Sequence, residues 1–441
     1  MCWHRAVRGR LLFCFQTAIS PASNSMAAVV LIGINYAPER TGTAINNVDM
    51  AHSLRDAGHR VIVMTGMPHY PEWRVHEQYR GQLRRDEMVD EIRVMRFGHY
   101  VPTRQSALTR GFYETTFLLN AALVTIRPRP DLFVGIIPSL SGGWLARRHA
   151  MQSGSIFGVV FADLMGKAAE QSGVPGAASV SAAVRMLEAG LARSAAGVGI
   201  IAEGFRDYLI SAGVESGKIH RIVNRNRTSP NSPKDSRDNV RRRMGWNRQQ
   251  FVVLHSGNMG YKQGLDNVLR AAALAARQTQ LRFVLLGDGN QRLKLEGQAR
   301  RLGLQNLDFL SLVPTEDFDS VLAAADVLLV NQRSAVTDMS LPGKLTAYFA
   351  AGVPVLAAVA PQSETAKEVR RSGAGLVVSP DSPEELVAGV ERLADDRETY
   401  SRLASAGQPY VHTYLEAAST SNITHFVEFL LASRRGSVAG A

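Results

Sequence analysis

The sequence predicts an α/β protein of two domains, each a doubly wound parallel sheet covered by helices, and three observations predict it. Short apolar runs alternate with helical patterns from residue 29 to about residue 223, the signature of a parallel sheet packed on both faces. The same alternation restarts at Phe251. Between the two, residues 224–239 (N-R-N-R-T-S-P-N-S-P-K-D-S-R-D-N) are polar, rich in Ser, Pro and Asn, and lack apolar periodicity, so they read as a linker. The 441 residues suffice for two cores of about 200 residues each. The expected division is 26–223 and 240–414, with 415–441 supplying a last helix that packs back on the first domain, then a tail.

Composition narrows the function classes. Hydrophobic residues at 45% and charged residues at 20% exclude a disordered chain. The net charge of +11 calls for an anionic partner: nucleotide phosphates, phospholipid headgroups or nucleic acid. Nucleic acid is disfavoured, because the basic residues are scattered and not interleaved with aromatics on one face. Cys2 and Cys14 are the only cysteines, which leaves no disulfide framework and no cysteine-based metal site, and suits a cytoplasmic chain. Arg5, Arg8 and Arg10 ahead of L-L-F-C-F faintly resemble a signal peptide, but Gln16 and Thr17 interrupt a run too short to span a bilayer. Met26 directly precedes the first buried strand, so residues 1–25 read as a dispensable upstream extension.

In the first domain, strand 29–33 is followed by N-Y-A-P-E-R-T-G-T-A and a helix over 44–57. Ligands on such sheets bind beyond the carboxyl ends of strands, so Glu39, Thr41 and Gly42 are expected to line a cleft and meet an acceptor, unless this is a plain strand-to-helix turn. After strand 60–65, the two prolines of G-M-P-H-Y-P make a stiff loop, where His69 and Tyr70 either contact the acceptor or pack. Strands follow over 90–97 and 131–137. Between them Phe112, Phe117, Leu118, Ala121, Ala122 and Val124 form an apolar helix with Arg104, Arg110 and Arg127 nearby. That helix either packs in the core or dips into an anionic membrane surface. Strand 156–161 runs into Asp163, which either points into the cleft or caps the next helix. Strand 197–201, helix 203–212 and strand 219–223 complete the domain.

In the second domain, strand 251–255 leads into S-G-N-M-G-Y-K-Q-G and a helix over 265–277. Gly257, Asn258, Gly260 and Gly264 expose backbone N–H groups around Lys262, the geometry of a phosphate cradle, although glycines also serve simple turning. Strand 283–286 ends in Gly287-Asp288-Gly289-Asn290, a loop with a carboxylate for a ribose or base. Strand 326–330 precedes Asn331-Gln332-Arg333. Then comes T-D-M-S-L-P-G-K-L-T-A-Y-F-A-A-G-V-P-V, in which Asp338, Ser340, Leu341 and Gly343 form a loop ahead of Lys344 in the first turn of a helix. Gly352 stops that helix and residues 353–356 restart a strand. Helix start and lysine together suit an anion such as a diphosphate; the alternative is an ordinary capped helix.

The order S-G-N-M-G-Y-K-Q-G, L-L-G-D-G-N, A-A-A-D-V-L-L-V and D-M-S-L-P-G-K-L-T-A-Y-F-A-A-G-V-P-V resembles family 4 glycosyltransferases, nearest to exopolysaccharide enzymes of the colanic-acid type. N-Y-A-P-E-R-T-G-T-A, G-H-R-V-I-V-M-T-G-M-P-H-Y-P and P-D-L-F-V-G-I-I-P agree. The resemblance spans about residues 28–430 and implies the GT-B fold, two Rossmann-like domains facing across a cleft. It implies retaining transfer of a sugar from a nucleotide diphosphate sugar to a glycan or lipid-linked acceptor, without metal or cofactor. The enzyme would be cytoplasmic, at the inner face of the membrane. Lys344 and Asp163 are then the catalytic candidates. Gly257, Asn258, Gly260, Lys262, Gly264, Gly287, Asp288, Arg333, Asp338, Ser340, Leu341 and Gly343 are the donor-side ones.

The sequence departs from that family at the two glutamates usually found here, whose places hold Met339 and Ala347. The second commonly holds the ribose, so Asp288 or Asp338 takes that task or the contact is lost. Gly343 also replaces a common Ser. The expected chemistry is electrostatic, with Lys344, the helix start and the glycine turn stabilising charge on the leaving diphosphate. A nucleotide-sugar epimerase, a phosphorylase or a non-catalytic sugar-nucleotide-binding subunit would use the same cradle.

Overall fold

The computed structural model describes residues 26–39, 43–70, 72–103, 106–166, 177–222, 235–336 and 344–438. The first sheet has eight strands: β1 (Ala28–Ile32), β2 (Arg60–Gly66), β3 (Arg84–Val89), β4 (Ile92–Phe97), β5 (Leu132–Ile137), β6 (Ile156–Phe161), β7 (Gly197–Ile200) and β8 (Ile219–Arg221). Their order is β3-β4-β2-β1-β5-β6-β7-β8, parallel throughout except that β3 runs antiparallel to β4. The second sheet has six parallel strands: β9 (Phe251–Ser256), β10 (Leu281–Leu286), β11 (Leu307–Leu310), β12 (Val327–Asn331), β13 (Val355–Ala358) and β14 (Gly375–Val378). They are ordered β11-β10-β9-β12-β13-β14.

The central strands read as unbroken apolar runs because both of their faces are covered. Every residue of A-V-V-L-I in β1 and of L-F-V-G-I-I in β5 is buried. Val30 pairs with Ile62 on one side and Phe133 on the other, and Leu254 of β9 pairs with Val284 and Leu328. The strand order reverses at β1 and again at β9. Loops leaving those two strands therefore open onto a crevice, which is where such sheets place ligands.

Helix Thr43–Asp56 follows the β1 loop, and helix Asp266–Leu274 follows the β9 loop, three residues shorter at its end than its pattern suggests. Helix Lys344–Ala350 begins on the lysine singled out above, and Gly352 at φ +67° closes it. The last helix, Ala417–Val438, returns to the first domain. Its Ile423, Phe426, Val427 and Leu430 share an apolar cluster with Val29, Leu31, Val134 and Val160. Gly158 and Gly197 leave the groove it lies in: a Cβ on Gly158 would sit 2.6 Å from the Leu430 side chain, and one on Gly197 would sit 2.9 Å from it. The domains also meet where Arg221, at the end of β8, approaches Glu368 at 3.9 Å, a carboxylate that accepts a 2.6 Å bond from Tyr410.

Candidate functional site

Two glycine loops at the carboxyl edge of the second sheet lock into each other. Gly257 leaves β9 at φ +115°, and Gly287 and Gly289 leave β10 at φ +138° and +155°. The Gly257 N–H donates to the Leu286 carbonyl at 2.8 Å, Met259 N–H to the Asp288 carbonyl at 2.7 Å, and Gln291 N–H to the Met259 carbonyl at 3.0 Å. A Cβ on Gly287 would overlap the Gly257 carbonyl, and one on Gly289 would lie 2.5 Å from the Asn258 side-chain oxygen. The backbones thus meet at a distance no side chain permits. Asn258 and Asp288 stay exposed beside this junction, Asp288 accepting from the Gly289 N–H at 2.7 Å.

The rest of the glycine turn is firmer than a loop. Tyr261–Gln263 makes a single 3-10 turn between Gly260 and Gly264, the latter left-handed. Arg333 braces it: its N–H donates to the Lys262 carbonyl at 3.0 Å and its Nε to the Tyr261 carbonyl at 3.0 Å. Its guanidinium bonds Asp266 at 2.7 Å and lies 4.5 Å from the Tyr261 ring centre. Arg333, expected to contact a donor, uses its Nε and one terminal nitrogen to hold the turn. The turn carrying Lys262 is likewise ordered.

Lys344 reaches from the start of its helix to the end of β9. Its Nζ donates to the Ser256 carbonyl at 3.0 Å and lies 3.4 Å from both ring nitrogens of the fully buried His255. It stands 3.9 Å from where a Cβ of Gly257 would be. One helical turn on, the Tyr348 hydroxyl accepts from the Ser256 N–H at 2.8 Å and fixes that strand end. Burial pushes the Lys344 ammonium down to about 7, and burial together with the neighbouring Lys344 charge pushes His255 well below its ordinary value. Among the described residues no carboxylate pairs with this lysine. A half-buried amine held only by neutral groups is a site where an incoming anion favours the charged form.

Across the crevice, Asp163 follows β6, accepting from the Leu164 N–H at 3.0 Å. Burial raises its carboxyl, and the positive charge of Lys262 opposes that rise, which places Asp163 and Lys262 within electrostatic reach of one another. Glu39 and His69 behave otherwise. Glu39 accepts from the His69 and Tyr70 N–H groups at 2.9 and 3.0 Å and from Asn35 at 2.9 Å. The His69 ring is fully buried, with Nδ1 2.8 Å from the Met67 carbonyl and Nε2 3.1 Å from the Tyr113 hydroxyl. Neither offers surface to an acceptor; they shape the loop after β2, and the expectation of direct contact is corrected for both. Tyr70 remains partly exposed. Thr41, Gly42, Asp338, Ser340, Leu341 and Gly343 lie outside the described residues.

Three neighbours of these groups escaped sequence reasoning. Tyr348 carried a signal, since it lies four residues after Lys344 on the same helix face. His255 reads as one more strand residue, and Glu188 sits on a helix far along the chain.

Comparison with known proteins adds to this geometry. Residues 236–409 match the family model described as glycosyl transferases group 1, and residues 41–225 match a glycosyl transferase 4-like domain. A putative colanic acid biosynthesis glycosyl transferase, WcaI of Escherichia coli K12, is 28% identical over 374 residues, covering 82% of this chain and 91% of that protein. Among solved structures, a sucrose-phosphate synthase from Thermosynechococcus elongatus superposes with a TM-score of 0.72 at 17% identity, over 92% of this chain and 100% of that one. HepE of Anabaena, in complex with UDP-glucose, gives 0.66 at 18% identity, again over 92% of this chain and 100% of that one.

Proposed function

This chain belongs to the group 1, family 4 glycosyltransferases of GT-B fold, and we propose that it moves a sugar, with retention, from a nucleoside diphosphate sugar to a lipid-linked or glycan acceptor. It is a glycosyltransferase, and its relative WcaI is named for putative colanic acid biosynthesis. The observation that carries the donor reading is Lys344, a half-buried lysine without a carboxylate partner among the described residues, set against Ser256 and Gly257. The HepE structures holding UDP and UDP-glucose support it. In the proposed reaction the anomeric C–O bond breaks toward the diphosphate, and Lys344 with the Gly257 turn meets the growing negative charge without a metal or cofactor. Asp163, in the first domain, orients the acceptor or the donor sugar. Closure of the crevice excludes water that would hydrolyse the donor.

The test is a screen of nucleoside diphosphate sugars for a rise in melting temperature, then product analysis with a lipid diphosphate sugar. A stabilising donor and a product of unchanged anomeric configuration are expected. An inverted product removes the retaining assignment, and stabilisation without any transfer points to a binding subunit.

The shifted lysine makes donor binding depend on pH. Between about pH 7 and lysine's ordinary range the free protein has released the Lys344 proton, and the diphosphate restores it. A diphosphate diester has no proton of its own to exchange there, and His255 stays neutral. Affinity should therefore fall about tenfold per pH unit above about 7, with close to one proton taken up, measured by calorimetry in buffers of different ionisation heat. Lys344→Met should flatten the profile; a flat wild-type profile would show the lysine is charged in both states. The ligand-free fold gains stability over the same rise, because there the unfolded chain binds a proton that the folded one does not.

Contact with an anionic membrane surface is the proposed route to a lipid-linked acceptor. Helix Ala107–Ala122 buries Tyr113, Phe117 and Ala121 but leaves Leu108 79%, Phe112 63% and Leu119 64% exposed, with Leu123 just beyond at 85%. At about 100° per residue these four fall on one stripe. Of the apolar face expected from the sequence only Phe112 lies on it, Phe117 and Ala121 being in the core with Leu118, Ala122 and Val124 packed against it. Arg148 flanks its end, donating to the Ala122 carbonyl at 3.3 Å. No helix among the described residues is long and apolar enough to cross a membrane. Sedimentation with anionic vesicles should fall steeply with salt and drop in Phe112→Ser/Leu119→Ser. Binding indifferent to both would assign the stripe to something other than lipid.

A further inference from the structure

We propose that Glu188, on helix Ala177–Ser194, is a positioning residue for sugar transfer: its buried carboxylate clamps the loop after β6 and so fixes the place of Asp163 at the carboxyl end of that strand. This rests on the reading that Asp163 serves the transfer reaction. Glu188 has no exposed surface. One oxygen accepts from the Met165 N–H at 2.6 Å and the other from the Gly166 N–H at 3.1 Å, so both oxygens are engaged by the residues just after Asp163. Gly166 permits this approach, since a Cβ there would collide with the Arg185 side chain and stand 3.1 Å from the Glu188 carboxylate.

A wholly buried carboxylate costs folding free energy unless its bonds outweigh its desolvation, and an apolar residue on this helix face would avoid that cost. Glu188 is pushed up to about 7 by burial, against the two N–H bonds, and the Asp163 charge adds to the rise. Such a carboxylate is a poor choice for stability alone. What it achieves is geometric: two charge-assisted bonds fix the direction of a short loop whose second residue is Asp163. Among the described residues Glu188 bonds neither Lys344 nor the glycine loops, so its effect should reach the reaction through Asp163.

The test is a double-mutant cycle of Glu188→Gln and Asp163→Asn in the full chain, with turnover measured on the donor and acceptor that the wild type uses, and affinity for that donor's nucleoside diphosphate measured beside it. Glu188→Gln keeps one acceptor oxygen and the side-chain volume. It should lower kcat about tenfold while the nucleoside diphosphate Kd stays within about twofold. In the Asp163→Asn background it should cost no more than about a further twofold. Losses that multiply in the double variant, or wild-type turnover in Glu188→Gln, overturn the proposal and leave the role of Asp163 standing. Wild-type turnover in Asp163→Asn itself overturns the reading of Asp163 and this proposal with it. Should Glu188→Gln fail to fold, Glu188→Asp keeps the charge one methylene short and enters the same cycle: an intermediate kcat that vanishes beside Asp163→Asn supports positioning, and a fall in melting temperature with unchanged kcat refutes it.

Discussion

Lys344→Ala should lower turnover by on the order of a hundredfold or more, as for the loss of one preorganised donor to a developing anion. Donor affinity should fall much less. Removing the Lys344 amine also removes the cost of having desolvated it, which offsets part of the lost attraction. The contrast with Lys262→Ala sharpens the result. Lys262 stands on a turn braced by Arg333 and faces Asp163, so its loss should be the milder. Turnover and nucleotide binding measured separately for both variants decide the matter. Equal losses of binding with unchanged turnover in Lys344→Ala would make this lysine a nucleotide holder and move the catalytic centre elsewhere.

Gly287→Ala should be the most destabilising single methyl group added to the second domain. The new Cβ would overlap the Gly257 carbonyl, and φ +138° is a backbone region that alanine adopts only under strain. Overpacking and strain together should cost about 3 kcal/mol or more, seen as a lower urea midpoint with an unchanged slope. Because the collision separates the two glycine loops, the nucleoside diphosphate affinity should fall in the protein that still folds. A control at Gly245, left-handed with nothing within 4 Å of its Cβ position, should show strain without collision and a smaller loss. Equal stability of Gly287→Ala and wild type would mean that the loops part freely.

Much of the local structure around the glycine loops and Lys344 could be read from the chain because its signals are local. A strand, a glycine and a helix start are neighbours in sequence, so the Gly257 and Gly287 loops and Lys344 announce themselves. The acceptor side is set by tertiary contacts. Glu39 lies in a loop that looks open, yet His69 and Tyr70, thirty or so positions on, close over its carboxylate. Arg333 reads as a free cation until Asp266 and Tyr261 claim it. β3 escaped notice because R-R-D-E-M-V is an edge strand with no fully buried face, and edge strands are kept polar against stray pairing. Glu188 gave no signal, as nothing in helix Ala177–Ser194 shows which loop it will meet.

The return of helix Ala417–Val438 to the first sheet bears on how the molecule is made. Val29, Val134 and Val160 face the groove over Gly158 and Gly197, and the residues that fill it, Phe426, Val427 and Leu430, are synthesised after the whole of the second domain. Domains that are continuous in sequence complete themselves in order of synthesis. Here the order inverts: the second domain, held within residues 235 to about 410, has its whole core in hand while the first still lacks one wall. The amino-terminal sheet waits, with an apolar groove open, for the whole of the later domain to be translated.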